Sequence, residues 1–411
     1  MRRVGVLLTV IGVGLAWPSA GAEPPTPAAV PARQLLYPGS SFYPRLIRLE
    51  HNGAANGTIV ASVNTLQQTG AIMASTDGGQ TFRQRGTITD TVSKRSGQLC
   101  CSALFELPTA VGNMPAGTLL WADTVFSDVL DVVLRHVEQR LWASRDQGAH
   151  WEFVSSIATS NSLFSFTDWG PLLPSAWEPS LSMSADGQLV AFYSDETDSR
   201  DHSQKLVQVR SPDGVHWVNQ TDTVVSDVQY VRPGMANAIR LPDGSYFLSY
   251  EICNTDKVHQ CLAYFRRSTD GWNYGDPRFL GTVVRTATDG GYTQHAPYPA
   301  WSPGPGPNGT ILLSGQMVSS VDGTVTPSTG RTILANDAMG EGSWYEMAAP
   351  IVIDGITDAP CKNYSSALLP APDGKTVIEA ATDLDSNGVC RAYYASGPLT
   401  GPTPLPALAG K

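Results

Sequence analysis

The chain has 411 residues, a length that ordinarily divides into two or three domains unless a repeat enlarges one closed unit. Its formal charge is −10, with 27 Lys and Arg against 37 Asp and Glu. That balance excludes a nucleic-acid partner, which needs a basic stripe to meet the phosphates, and leaves neutral or cationic partners.

In chain order, the first element is an export signal. Met1-Arg2-Arg3 is basic, Val4 to Trp17 is apolar, and Ala20-Gly21-Ala22 offers a small-residue cleavage site. The apolar run is shorter than the roughly 20 residues that span a bilayer, so residues 1–22 are expected to be removed. The mature chain is expected to be secreted, soluble and free of membrane contact. Residues 23–38 read as a flexible Pro-rich leader, 39–405 as one repeat domain and 406–411 as a tail.

Six times the domain writes a turn ending in glycine and then an apolar, β-branched run. The six are Asn56-Gly57-Thr58-Ile59-Val60, Ala116-Gly117-Thr118-Leu119-Leu120, Asp186-Gly187-Gln188-Leu189-Val190, Asp243-Gly244-Ser245-Tyr246-Phe247, Asn308-Gly309-Thr310-Ile311-Leu312 and Asp373-Gly374-Lys375-Thr376-Val377. Each is a hairpin turn entering a strand, and a unit of about 60 to 65 residues recurs. Four units carry a second signal. Ser75-Thr76-Asp77-Gly78-Gly79-Gln80-Thr81-Phe82 and Ser144-Arg145-Asp146-Gln147-Gly148-Ala149-His150-Trp151 fit S-x-D-x-G-x-x-[WF], the Asp-box of sialidase-like propellers. Shorter versions start at Ser211 and Ser268, and units five and six show no clear copy. In such a turn Asp accepts backbone N–H bonds, Gly supplies positive φ, and the aromatic buries itself between neighbouring sheets, so the boxes are structural.

Repeated four-stranded units without helical periodicity predict an all-β, six-bladed propeller, whose closure protects the sheet edges. A pair of β-sandwiches has no need of the regular glycine spacing. Six cysteines in an oxidising compartment are expected to pair. Cys253 and Cys261 are close enough to staple one hairpin, and Cys361 with Cys390 to join two strands of the last repeat. Cys100 and Cys101 are adjacent and remain open between a vicinal disulfide and two buried thiols.

The innermost strand of a blade precedes the turn glycine, so a central site is built from the segments upstream. These read Tyr43-Pro44-Arg45, Cys100-Cys101-Ser102, Trp177-Glu178-Pro179, Val231-Arg232-Pro233-Gly234, His295-Ala296-Pro297-Tyr298 and Asn363-Tyr364-Ser365. Arg45, Glu178, Arg232, His295 and Tyr364 are poor choices for apolar packing and point to a polar cavity. The strands after the glycines end in Asn64, Asp123, Asp195-Glu196, Glu251, Gln316 and Asp383. Singly, Glu178 or Glu251 reads equally as half of a salt bridge to Arg45 or Arg232. Together they suit glycoside chemistry, which needs one protonated and one ionised carboxyl. Trp169, Trp177, Tyr193, Tyr250, Tyr298 and Tyr364 offer aromatic platforms for a sugar. Because no C-x2-C pair or histidine cluster stands at ligand spacing, neither metal nor cofactor is expected.

These residues resemble glycoside hydrolase family 93, the exo-acting α-1,5-L-arabinanases, which are six-bladed propellers of the sialidase superfamily. The resemblance lies in Trp177-Glu178-Pro179, the strand Leu189 to Glu196, Gln204-Lys205-Leu206-Val207, Arg232-Pro233-Gly234-Met235 and Ser249-Tyr250-Glu251-Ile252-Cys253. It covers blades three and four; elsewhere the chain matches as a generic propeller. It implies a retaining exo-hydrolase with Glu178 as acid/base and Glu251 as nucleophile, and the Tyr364 segment resembles the superfamily's active-site tyrosine region. Arg45, Asp123, Trp177, Asp195, Arg232, His295 and Tyr298 are the expected substrate contacts, and an oligosaccharide or polysaccharide taken up by a monomer is the expected partner. Two rivals stand beside this reading. A sialidase would use Arg45, Arg232, Tyr364 and Glu251, but it needs a third arginine that Ala61-Ser62-Val63-Asn64-Thr65 does not supply. A non-catalytic carbohydrate- or protein-binding propeller has no reason to oppose two carboxyls across one channel.

Overall fold

A computed structural model describes residues 33–92, 98–127, 136–161, 165–167, 170–172, 175–286, 290–357 and 359–401. The export segment, most of the leader, Trp169 and the tail lie outside the described residues. The rest forms six antiparallel sheets, one per glycine repeat, and one small hairpin, Ser165–Thr167 with Gly170–Leu172. Blade one is Ser41–Arg48, Ile59–Thr65, Thr69–Ser75 and Arg83–Thr89. Blade two is Gln98–Glu106, Leu119–Ser127, His136–Ser144 and Glu152–Asn161. Blade three is Ala176–Met183, Leu189–Asp195, Lys205–Ser211 and Val218–Val224.

Blade four starts with Arg232–Arg240, Tyr246–Cys253 and Cys261–Ser268. Its fourth strand is only Thr282–Val283, and Tyr292–Gln294 and Met317–Ser319 extend the sheet elsewhere. Blade five is Tyr298–Ser302, Thr310–Ser314, Thr332–Asn336 and Tyr345–Ala348. Blade six is Ala367–Pro370, Thr376–Leu384 and Cys390–Pro398, completed by Gln34–Leu35 from the start of the domain. The leader expectation is therefore corrected at its end: residues 34–35 are the outer strand of blade six. Their register, Gln34 with Tyr394 and Leu35 with Tyr393, ties the two ends of the propeller together.

The turn glycines entering each second strand have φ between 67° and 90°, a region an L side chain rarely adopts. Apolar packing then runs between blades. Separate buried clusters join blades one and two around Trp121 and Trp142, two and three around Leu120 and Leu189, three and four around Phe192 and Tyr250, and four and five around Phe247 and Trp344. Two more join five to six and six to one.

The four Asp-boxes share one hydrogen-bond pattern. In the first, Ser75 Oγ donates to Asp77 at 2.7 Å and accepts from Gly79 N, while Asp77 accepts from the amides of Gln80 and Thr81. Their aromatics seal the seam to the preceding blade: Phe82 packs at 4.7 Å on Tyr394, and Trp217 donates to Ser155 Oγ. Blade five does carry a diverged copy, which corrects the sequence expectation. Asn336 Oδ1 stands in for the serine hydroxyl, accepting from Ala338 N and Gly340 N, and Trp344 fills the seam against Phe247 and Phe265.

Three disulfides are present: Cys100–Cys101, Cys253–Cys261 and Cys361–Cys390. Cys253 and Cys261 are register partners in the hairpin of blade four. Cys361 lies in the segment before the inner strand of blade six, so that bond joins a loop to a strand and not two strands. Among the described residues no helix is long and apolar enough to cross a membrane.

Candidate active site

The inner strands of blades one to four break register at equivalent places, between Phe42 and Arg45, Cys100 and Ala103, Trp177 and Ser180, and Gly234 and Asn237. At each break one residue takes positive φ: Tyr43, Cys101, Glu178 and Met235. Such a bulge re-aims a side chain, and here it turns one residue per blade toward the axis. In blades five and six the same backbone change falls just before the inner strand, at His295 and Ala296 and at Asn363 and Ser365. Those two segments were expected to lie on the strands. The re-aimed residues pack as an axial plug of Tyr43, Cys101, Met235 and Ala296, with Phe42, Cys100 and Tyr364 against it.

Glu178 is half-buried beside this plug. Its Oε2 accepts from Ser194 Oγ at 2.8 Å, and Ser194 Oγ in turn accepts from Met235 N at 3.1 Å. Glu251 is buried, and its Oε2 accepts from Ala296 N at 2.7 Å. Glu251 is the register partner of Gly234, whose backbone sits so close to blade three that a Cβ there would lie 2.6 Å from Ser194 Oγ. Ser194 thus links the strand that faces one carboxyl to the strand that pairs with the other.

Burial pushes Glu178 up to about 8, opposed by the Ser194 hydrogen bond and reinforced by the charges of Glu251 and Glu196. Burial also pushes Glu251 up to about 7, opposed by the Ala296 amide and by Arg232. Among the described residues neither carboxyl forms an ion pair, so the salt-bridge reading fails for both. Arg232 instead pairs with Glu196 at 2.5 Å and donates to Gln204 and Ser203, and Trp177 Nε1 donates to the other oxygen of Glu196 at 2.9 Å. Glu196 and Gln204 therefore orient Arg232 and Trp177, a role that no local pattern announced.

The other expected contacts separate. His295 is buried beside Glu251, with Nε2 3.0 Å from Gln260 Oε1. Glu251, Cys261 and His295 bring possible ligand atoms within 4.8 Å of one another, but the Cys261 sulfur is bonded to Cys253. Tyr364 OH lies 3.3 Å from Met235 Sδ, and its ring meets Tyr43 edge-on at 5.8 Å. Asp195 accepts from Thr197 N at the end of its strand, and Asp123 is fully buried, held by Asn64 Nδ2 at 2.7 Å. Tyr193 and Tyr250 belong to the interblade cores.

Arg45 lies 5.3 Å over the Tyr43 ring of the plug, and with Tyr298 it also lines a second space. A cavity of about 640 Å³ opens at the opposite end of the channel, bounded by the later halves of all six inner strands. Arg45 donates to the carbonyls of Pro44 and Ser365 and to Ser365 Oγ, and lies 5.1 Å over the Tyr298 ring. The arginine pair of the sialidase reading is thus divided, one held by Ser365 and the other by Glu196.

No protein-family model matches the sequence, and no curated protein matches it. Solved structures do. The chain is similar to the family 93 α-L-arabinofuranosidase of Fusarium graminearum in complex with arabinobiose, at 25% identity and a TM-score of 0.69 over 87% of this chain and 93% of that one. It is similar to the Penicillium chrysogenum α-L-arabinanase complexed with arabinobiose, at 25% identity and a TM-score of 0.71 over 89% and 97%. The NanB sialidase of Streptococcus pneumoniae, at 11% identity and a TM-score of 0.54 over 89% and 70%, shares the fold alone. The likeness to the Fusarium and Penicillium enzymes, both glycoside hydrolases, is thus one of structure over 87% and 89% of the chain, beyond the blades three and four in which the sequence resembles family 93.

Proposed function

We propose that this glycoside hydrolase is an exported exo-enzyme that removes L-arabinofuranosyl units from α-1,5-arabinan with retention of configuration. The observation that carries the reading is the pair Glu178 and Glu251. They stand on adjacent blades, are held by a hydroxyl and an amide in place of counter-ions, and are both raised by burial. The arabinobiose bound to the Fusarium and Penicillium neighbours supports the sugar class.

Glu251, in the role that the resemblance to family 93 implies, attacks the anomeric carbon. As the glycosidic C–O bond breaks, Glu178 gives its proton to the departing oxygen. Glu178, now a carboxylate steadied by Ser194, takes a proton from water, whose oxygen displaces Glu251 from the sugar and returns both groups to their starting state. Trp177 and Tyr364 flank the pair as apolar surface for the ring.

The active form needs Glu251 ionised and Glu178 protonated, so kcat/KM should be bell-shaped with limbs near 7 and 8. Glu251→Gln should abolish turnover of arabinobiose and of 4-nitrophenyl α-L-arabinofuranoside alike. Glu178→Gln should remove turnover of arabinobiose while sparing formation of the glycosyl-enzyme from the nitrophenyl substrate, whose leaving group needs no proton. NMR of the first-formed sugar should show the α-anomer. An inverted product, or full activity in Glu251→Gln, overturns the mechanism.

A further inference from the structure

We propose that the Cys100–Cys101 disulfide is the apolar floor under the sugar at the cleavage point and decides which ring face the site accepts, an inference that rests on the glycosidase reading above. The bulge that presents Glu178 in blade three presents Cys101 in blade two, at the equivalent register break and with positive φ. Cys101 is buried in the axial plug, whereas Cys100 is partly exposed.

The plug neighbours of the bond include Ala296, which holds Glu251, and Met235, which holds the serine bonded to Glu178. Met235 N is fixed by Ser194, the partner of Glu178, and Ala296 N is the donor to Glu251. A surface at this place adjoins the groups that position both glutamates. A disulfide has no donor and only weak acceptors, and its sulfurs are polarisable. A ring face carrying C–H groups gains contact there, while a hydroxyl turned onto it loses its hydrogen bonds to water without replacement. Closing two adjacent cysteines into one small ring also removes the χ freedom that two separate thiols would keep, so the contact costs little ordering on binding. The tyrosines at positions 43 and 364, in the same cluster, bound the floor on one side.

The test is the Cys100→Ala/Cys101→Gly variant, in which glycine accommodates the positive φ, assayed beside wild type with 4-nitrophenyl α-L-arabinofuranoside. KM should rise about tenfold, while both limbs of the pH profile stay in place because neither carboxyl loses its donor. Unchanged KM in a folded variant overturns the floor. Movement of the pH limbs with a fall in kcat at unchanged KM assigns the bond a purely structural role and overturns it equally. Wild type inert on this substrate defeats the arabinofuranosidase reading on which the inference rests, which is a separate result. If the variant does not fold, native protein treated with dithiothreitol, with thiol mapping to show that Cys100 and Cys101 alone have taken up two electrons and two protons while Cys253–Cys261 and Cys361–Cys390 stay closed, supplies the same comparison of KM.

Discussion

Ser194 is the residue on which the two halves of the site meet, because its one oxygen donates to Glu178 and accepts from Met235 N. Its hydrogen bond favours the ionised form of Glu178. Ser194→Ala should therefore raise the pKa of Glu178 further and move the alkaline limb of kcat/KM upward. It should also slow the hydrolytic half-reaction, in which Glu178 acts as the base, with kcat falling about tenfold. An unmoved alkaline limb would show that Ser194 does not govern the acid. The carboxylates at 178 and 251 and the arginine at 232 were legible as polar residues at inner-strand or strand-end positions. Ala296 was not, because its contribution is a backbone amide aimed by positive φ, and any side chain could have marked the place.

At the scale of the strand, Gly234 has no turn to make; its value is closeness. A Cβ would meet Gln204 Nε2 at 2.3 Å and Ser194 Oγ at 2.6 Å, so Gly234→Ala must displace the Gln204 amide and the Ser194 hydroxyl. The expected cost is about 1 to 3 kcal/mol of stability, with a loss of kcat larger than any change in KM, since Ser194 Oγ is the hydrogen-bond donor to Glu178. The diverged box of blade five makes a second element-scale prediction. If Trp344 seals its seam, Trp344→Ala should cost about 3 to 5 kcal/mol in urea unfolding, whereas Val228→Ala, on an exposed side chain, should cost less than about 1 kcal/mol. The box was missed in the sequence because Asn replaces Ser and the aspartate moves one place, to Asp337, where it accepts from Thr310 Oγ1 and Tyr345 OH instead.

For the whole molecule, two sets of carboxyls pull stability in opposite directions with pH. Glu178, Glu251 and Glu379 are raised by burial, to about 8, about 7 and about 7. Below about 4.5 they are protonated in folded and unfolded chains alike and carry no penalty. As pH rises from there to about 8, the unfolded chain ionises first, and stability is lost. The box aspartates act the other way. Hydrogen bonds from the box hold Asp146 down to about 2, and Asp77 and Asp213 are lowered by the same arrangement, so their contribution is present above about 4 and is lost as pH falls. Thermal stability should peak near pH 4 to 5. Glu379→Gln, which keeps a group able to accept from Ile351 N, should recover on the order of 2 to 3 kcal/mol at pH 8 and nothing at pH 4. A Tm gain of equal size at both pH values would contradict the assignment.

The fold was written locally. A turn that must take positive φ needs glycine, a strand that follows needs β-branched residues, and a seam needs an aromatic, so six copies of one pattern name six blades without reference to distant parts of the chain. The placement of Glu178 and Glu251 on neighbouring blades, within the stretch that resembles family 93, was legible for the same reason. What only the tertiary structure decided is which way side chains and amides point once the blades close. The axial bulges turn Cys101 and Met235 inward, Arg45 and Tyr298 border the cavity at the far mouth, and Gln34 and Leu35 return to finish blade six. These outcomes depend on contacts between residues hundreds of positions apart, whose energies exist only after the ring has closed, and no local run of sequence encodes them.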